Sequence, residues 1–225
     1  MSDFKMIVLA SSSPRRQELI RAFGLPFEVK VSNVDETTEP GLPPADIVES
    51  LALRKAEAVF QTLEPSRQND SVVVGSDTIV VLEGEVLGKP RDEADAFRML
   101  SGLQGRSHYV YTGLACIGKP FPELASIEES RIPMGTTGGY RVRGSGTVGH
   151  TVTKVTFRPL TEAEIRGYIR TGEPMDKAGA YGVQGIGSVM IERMEGDFYS
   201  VMGLPLNLLY MMLAVFGLHP LLSDR

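Results

Sequence analysis

The sequence predicts an α/β fold in one domain. Apolar stretches typical of β-strands alternate with helical patterns along most of the 225 residues. A hydrophobic content of 42% is enough for a substantial core at this length. No apolar run approaches the roughly 20 residues that a membrane-spanning helix requires, so we expect no membrane partner.

The order of elements follows from apolar runs and from cap signals. Ser13 is suited to cap a first helix that begins at Pro14, and Thr161 with Glu164 predicts a capping box for a later one. Helices are expected at 14–23, 45–61, 92–103, from 161 to near 172, and at 206–216. Strands are expected at 6–10, 27–31, 72–74, 79–82, 86–87, 107–117, 151–157 and 188–194. Residues 118–150 are rich in Gly, Ser, Thr and Pro, which predicts a long loop or hairpin.

Charge and cysteine content narrow the function. A net charge of −5 argues against a nucleic-acid-binding protein, which usually needs a basic face to displace counterions from phosphates. Cys116 is the single cysteine, and the apolar stretch at the N-terminus precedes the arginines, unlike a secretory signal. We therefore expect a reducing, cytoplasmic environment.

The turn after the first strand combines several groups that bind phosphate. Residues 11–16, Ser-Ser-Ser-Pro-Arg-Arg, place hydroxyl groups, free backbone N–H groups, a helix N-terminus and two guanidinium groups within one turn. An ordinary helix cap with two surface arginines is the alternative interpretation of these six residues.

Two charged residues stand where the pattern predicts burial. Lys55 lies on the apolar stripe of the second helix, which is costly unless its ammonium group reaches an anion or extends to water. Asp77 follows Val-Val-Val-Gly-Ser, so we expect it at the carboxyl end of a buried strand, where α/β proteins bind ligands. Asp77 could bind a metal, activate water, or simply be a hydrogen-bonded turn aspartate. Asp35 with Glu36, and Lys89, are weaker candidates because such residues are usually solvated.

The stretch 173–187 is dense in glycine yet contains Asp176, Lys177, Tyr181 and Gln184, a composition typical of a loop around a ligand. The carboxamide of a buried Gln184 has the paired donor and acceptor that suit the imide edge of uracil or thymine. The alternative is a glycine-rich connector whose polar side chains satisfy their own backbone.

These motifs occur in one order along the chain. They are LASSSPRR at 9–16, the pair Lys55-Ala56, GSDT at 75–78, GKP at 88–90, DKAGAYGVQG at 176–185 and VMGLPL at 201–206. Together they resemble the Maf family, the septum-formation-inhibitor-like nucleotide pyrophosphatases, over nearly the whole chain. The resemblance implies an inosine-triphosphatase-like α/β fold with a long mixed β-sheet and flanking helices. It also implies two lobes around a nucleotide cleft and a homodimer.

The same resemblance implies hydrolysis of a nucleoside triphosphate to the monophosphate and pyrophosphate, with Mg²⁺ or Mn²⁺ as cofactor. Asp77 would orient or deprotonate the attacking water. The implied catalytic set is Asp77, Lys55, Lys89 and Arg16. The implied substrate-binding set is Ser11, Arg15, Arg16, Thr78 and Gln184, and the implied metal ligands are Glu36 and Asp77.

Three positions are similar to the branch of the family that prefers dTTP and UTP. Arg15, Thr78 and Gln184 stand where the methyl-GTP branch typically has an aromatic residue, Gln and Glu. We therefore expect dTTP and UTP as substrates, with modified pyrimidine triphosphates also accepted. The alternatives are a pyrophosphatase for methyl-GTP or another purine triphosphate, and a nucleotide-binding regulator of cell division. Within the single domain 1–225, residues 118–150 are longer and richer in glycine than is usual for the family, and we expect a flexible loop insertion there.

Overall fold

The computed structural model describes residues 5–31, 33–119, 130–133, 138–143 and 145–222. Within them, nine strands form one sheet and seven α-helices flank it. The strands are β1 (Met6–Leu9), β2 (Phe27–Val29), β3 (Ser71–Leu82), β4 (Glu85–Leu87), β5 (Ser107–Gly118), β6 (Ser130–Pro133), β7 (Gly138–Arg143), β8 (Gly146–Phe157) and β9 (Ile191–Glu195). The helices are α1 (Pro14–Arg21), α2 (Pro44–Phe60), α3 (Pro65–Asn69), α4 (Glu93–Leu103), α5 (Glu162–Ile169), α6 (Phe198–Met202) and α7 (Leu206–Ala214). Three short 3₁₀ helices lie at Glu173–Asp176, Ala178–Ala180 and Gly185–Met190.

The sheet is mixed and its strand order is β2-β1-β3-β5-β8-β7-β6, with β4 beside β3 and β9 beside β8. β1 runs parallel to β2 and β3, whereas all other pairings are antiparallel. The expected long mixed sheet with flanking helices is confirmed. Among the described residues, no helix is both long and apolar enough to cross a bilayer.

Alternate residues of β1 contact two different layers, as the period of two in a strand requires. Ile7 and Leu9 pack in a buried cluster that includes residues of α7, while Val8 and Ala10 pack against residues of α2. The sheet is therefore covered on both faces near the start of β1. A third buried cluster packs α4 and α5 against β5 and β8.

Helix α2 lies directly on the sheet because two glycines leave room for its backbone. A Cβ atom at Gly75 would lie 2.2 Å from the carbonyl oxygen of Ala52, and one at Gly113 would lie 2.1 Å from that of Val48. Gly113 is the cross-strand partner of Asp77. The close approach of the helix therefore occurs beside Asp77.

Most expected elements are confirmed, with ends that differ by a few residues. Ser13 caps α1 by accepting a hydrogen bond from the backbone N–H of Arg16, and Thr161 with Glu164 forms the capping box of α5. Gly24, at φ 65°, follows the first helix. The short helices α3 and α6 were not expected.

The expected break after residue 74 is wrong, and so is the position of Asp77 at the end of a strand. β3 is continuous from Ser71 to Leu82, and ten of its residues pair in register with β5. Asp77 therefore lies in mid-strand. The Gly75-Ser76 pair suggested a turn, but Gly75 is required by the contact with α2.

The expected flexible loop at 118–150 is wrong for most of the described residues of that stretch, whereas the hairpin alternative is confirmed. β6 and β7 pair with each other, and β7 pairs with β8, which begins at Gly146. Tyr140 and Val142 are 4% exposed and join the cluster under α7, so burial of alternate side chains outweighs the turn preference of the glycines. Residues 120–129, 134–137 and 144 of this stretch lie outside the described residues.

Candidate active site

A cleft with a volume of about 1070 Å³ contains the residues that the motifs single out. The 3₁₀ helices at 173–176 and 178–180 form part of its wall, together with β3, the start of α1 and one side of α2. The structure brings all the expected site residues into its lining: Ser11, Arg15, Arg16, Glu36, Lys55, Asp77, Thr78, Lys89 and Gln184. Their separate roles stay predictions.

An ion cluster lies at the centre of the cleft. The Nζ atom of Lys55 is 2.6 Å from Oδ1 of Asp77 and 2.7 Å from Oε1 of Glu36. Lys55 and Asp77 are nearly buried, while the Glu36 side chain is 64% exposed. The hydrogen bond from Lys55 lowers the pKa of Glu36 below its usual value, although partial burial acts in the opposite direction. Lys55 therefore reaches anions, which is the first of the two outcomes that its position on an apolar helix stripe allowed.

The two neighbouring carboxylates of the loop before α2 have different partners. The Asp35 carboxylate accepts hydrogen bonds from the backbone N–H of Thr37 at 2.8 Å and from its hydroxyl at 2.6 Å. This arrangement is an Asx-type turn, which lowers the pKa of Asp35. Only Glu36 joins Lys55, so the acidic pair does not act as one site.

Arg16 connects three parts of the chain across the floor of the cleft. Its Nε donates to the carbonyl oxygen of Gly203 at 2.7 Å and its Nη1 to that of Ser76 at 2.8 Å. Longer hydrogen bonds reach the hydroxyls of Ser11, at 3.3 Å, and Thr78, at 3.2 Å. Burial lowers the pKa of Arg16 from its usual value. These contacts fix the turn at residues 11–16, where α1 begins, against the middle of β3.

A pair of cations lies at the other wall of the cleft. Lys177, which was not among the expected site residues, donates to Oδ1 of Asp176 at 2.6 Å and is 14% exposed. Arg15 lies 3.8 Å from the other carboxylate oxygen of Asp176. Burial tends to raise the pKa of Asp176, but Lys177 and Arg15 outweigh it and the pKa lies below its usual value. The side chain of Gln184 makes no capping hydrogen bond to the 3₁₀ helix that follows it and lines the same space.

The donor set suits a hard divalent cation. No group of three or more His, Cys, Asp or Glu side chains able to hold a metal ion occurs in the described part of the chain. Mg²⁺, however, is usually held by one or two carboxylates, with water and substrate phosphates completing its shell. Asp77 and Glu36, which meet at the Lys55 ammonium group, could supply those two carboxylates.

Two bacterial proteins that share one name are similar to this chain over most of its length. The dTTP/UTP pyrophosphatase of Moorella thermoacetica is 47% identical over 211 residues, covering 94% of this chain and 95% of that protein. The protein of the same name from Symbiobacterium thermophilum is 47% identical over 214 residues, with 95% of each chain covered. The nearly equal coverage indicates that this chain and these two proteins are of similar length.

A solved structure of a nucleoside-triphosphatase, the dITP/XTP pyrophosphatase of Mycobacterium abscessus, is 18% identical over 68% of this chain and 72% of that one, with a TM-score of 0.36. The family profile described as "Maf-like protein" matches residues 6–216. That span includes every motif quoted above and every residue of the ion cluster. The chain belongs to the family of Maf-like proteins.

Proposed function

We propose that the protein hydrolyses dTTP and UTP, and modified pyrimidine triphosphates of the same shape, to the nucleoside monophosphate and pyrophosphate. The observation that carries this proposal is the Lys55 ammonium group held between Asp77 and Glu36, in a cleft that Gln184 also lines. The names of the two bacterial relatives support the choice of substrate.

The triphosphate would be bound by the cations of the cleft. Lys55, Lys89, Arg15 and Lys177 have side chains that line it. At an effective dielectric constant near 20, a cation about 4 Å from a phosphate gains roughly 4 kcal/mol before desolvation is subtracted. Several such contacts outweigh the net charge of −5 for an anionic substrate.

Asp77 is the proposed base. Its carboxylate would accept a proton from the water that attacks the α-phosphorus. The bond from the α-phosphorus to the oxygen bridging to the β-phosphorus would break, and pyrophosphate would leave with both bonding electrons. Lys55 and Lys89 would stabilise the charge that develops on that leaving group. Mg²⁺ or Mn²⁺, held by Glu36 and Asp77, would supply further neutralisation of phosphate charge.

The proposal includes the cofactor, the assembly and the cellular location. The two carboxylates at Lys55 support a divalent metal, and the family resemblance supports a homodimer. The single cysteine, Cys116, is buried and burial raises its pKa to about 12, so its thiol is unreactive. The proposed cytoplasmic location is supported by the cysteine count, since one cysteine cannot form a disulfide within the chain.

Pyrophosphate release from a panel of canonical and modified nucleoside triphosphates tests the proposal, with Mg²⁺, Mn²⁺ or EDTA present. We expect metal-dependent release that is fastest with dTTP and UTP. A preference for methyl-GTP would overturn the assignment of a pyrimidine as the nucleobase of the substrate. Binding of nucleotides without any release would favour a regulatory protein over an enzyme.

A further inference from the structure

The backbone that carries Gln184 is held from outside the loop by the carboxylate of Glu173. Its Oε2 accepts a hydrogen bond from the backbone N–H of Ile186 at 3.1 Å, and its Oε1 accepts one from that of Gly187 at 3.1 Å. Sequence analysis placed Glu173 at the start of the glycine-dense stretch but gave it no role. Its carboxylate is a hydrogen-bond acceptor for the segment directly after Gln184.

Tyr168, on α5, holds the segment before Gln184. Its hydroxyl accepts a hydrogen bond from the backbone N–H of Gly182 at 3.1 Å and donates one to Oε1 of Glu173 at 2.9 Å. Burial, the largest cause, raises the pKa of Tyr168, so the hydroxyl keeps the proton that it donates. Both sides of the loop 182–187 are therefore tied to one connected pair of side chains.

The glycines of the loop are required by this contact. Gly185 has a φ of +70°, and a Cβ atom there would lie 2.6 Å from Oε2 of Glu173. A Cβ atom at Gly187 would lie 2.4 Å from the carbonyl oxygen of Gly182. The loop is thus wrapped closely around the carboxylate, with Gln184 between the two tied segments.

We propose that Glu173, together with Tyr168, is a positioning residue that sets the pyrimidine preference by fixing the backbone from which Gln184 reaches the base. This inference rests on the proposed function. A free loop would have to be ordered by each nucleotide that binds, which weakens binding and makes the amide less selective. Glu173 lines the cleft, but its carboxylate oxygens accept from the amides of Ile186 and Gly187, so we expect the chemical step to depend on Asp77 and Lys55 instead.

The test compares Glu173→Gln and Tyr168→Phe with Glu162→Gln, a matched control on α5. Glu162 is 66% exposed, pairs with Arg166 and lies outside the cleft. In Glu173→Gln and Tyr168→Phe we expect kcat/KM for dTTP to fall by about tenfold, the order of loss that follows when a backbone amide loses its hydrogen-bond acceptor. The loss should be mainly in KM, with kcat little changed. The ratio of kcat/KM for dTTP to kcat/KM for GTP should fall by the same factor. Glu162→Gln should match wild type. An equal loss with every nucleotide, or no loss, overturns the proposal.

A double-mutant cycle with Gln184→Ala tests whether Glu173 acts through Gln184. In the Gln184→Ala background, Glu173→Gln should change the ratio of kcat/KM for dTTP to kcat/KM for GTP by less than about twofold, since the effects of coupled residues are not additive. Full additivity would contradict the positioning role. Faster hydrogen exchange at the amides of Ile186 and Gly187 in Glu173→Gln is the expected readout that needs no turnover.

The proposed function can be wrong while the positioning role of Glu173 and Tyr168 is right, and the experiments distinguish the two. If wild type releases no pyrophosphate from any nucleotide, that function is wrong, and the preference is then measured as the ratio of dissociation constants for dTTP and GTP. A rise in the ratio of Kd for dTTP to Kd for GTP in Tyr168→Phe supports the positioning role, and an unchanged ratio overturns it. Tyr168→Phe removes a single oxygen, so it also serves if Glu173→Gln does not fold.

Discussion

Helix α2 carries two ion clusters of opposite composition. At Lys55 one cation lies between two carboxylates, and at Glu49 one carboxylate lies between two basic groups. Oε1 of Glu49 is 2.6 Å from Nδ1 of His150, and Oε2 contacts Arg141. The two positions are six residues apart and so lie on different sides of the helix, about 120° from each other.

The surroundings of the two clusters differ as much as their charges. The Lys55 cluster lines the cleft of about 1070 Å³ and includes the exposed Glu36, whereas the Glu49 cluster borders a cavity of about 130 Å³. A phosphate can compete with the two carboxylates for Lys55, and a metal ion can compete with Lys55 for the two carboxylates. Both carboxylate oxygens of Glu49 are already paired beneath β7 and β8. We infer that the first cluster exchanges partners during function and that the second stabilises the sheet.

The same change of acid to amide should separate the two clusters. Asp77→Asn should lower kcat by about 10³-fold, since the loss of a general base typically costs 10²–10⁴. Nucleotide binding should be largely kept, because Lys55 still pairs with Glu36. Single-turnover rates and dissociation constants measure the two effects, and wild-type kcat in this variant would remove Asp77 from the mechanism.

Glu49→Gln should affect stability and leave the chemistry intact. Removing one partner from a buried ion pair typically costs about 3–5 kcal/mol, and we expect the lower end because Arg141 is 40% exposed. For a chain of this size, 3 kcal/mol corresponds to a fall in Tm of about 6–12 °C. Calorimetry measures the change, and kcat should stay within about twofold of wild type. A large loss of kcat without a fall in Tm would contradict the division between the clusters.

Sequence reasoning found the first cluster and missed the second for a physical reason. Lys55 interrupts an apolar helix stripe, so its need for an anion is visible locally. Glu49 is bonded to His150 and Arg141, which lie 101 and 92 positions away. That pairing exists only because β7 and β8 add to the sheet in a particular register. Glu173 was missed similarly, since its partners are backbone amides brought together by a turn that composition alone does not define.

Gln184→Glu extends the comparison to the wall of the cleft, with a smaller expected effect. A carboxylate can accept from the N3–H of uracil but repels its carbonyl oxygen, whereas an amide can satisfy both groups. We expect kcat/KM for dTTP and UTP to fall by about tenfold, which is about 1.4 kcal/mol. Relative rates on UTP and methyl-GTP measure the effect, and an unchanged ratio would exclude Gln184 from base recognition.

Glu36→Gln should give the smallest change, which we expect in the free energy of unfolding. The pH dependence of this change follows from the hydrogen bond between Glu36 and Lys55. That bond holds the pKa of Glu36 in the folded protein below its usual 4.5. The charged carboxylate therefore adds stability above about pH 4.5, and this contribution is lost as the pH falls through the lower folded-state pKa. Because the side chain is 64% exposed, we expect only about 0.2–1 kcal/mol at neutral pH.

Urea unfolding of wild type and Glu36→Gln between pH 3 and pH 8 measures this contribution. The difference in free energy of unfolding should be constant at neutral pH, shrink on acidification below the usual pKa, and become smaller in high salt. The buried Glu49 cluster should be far less sensitive to salt, so the same series with Glu49→Gln is the matched comparison. A difference for Glu36→Gln that grows on acidification would mean that the carboxylate is held at Lys55 at a net cost, and the stabilising hydrogen bond assigned to this pair would then be wrong.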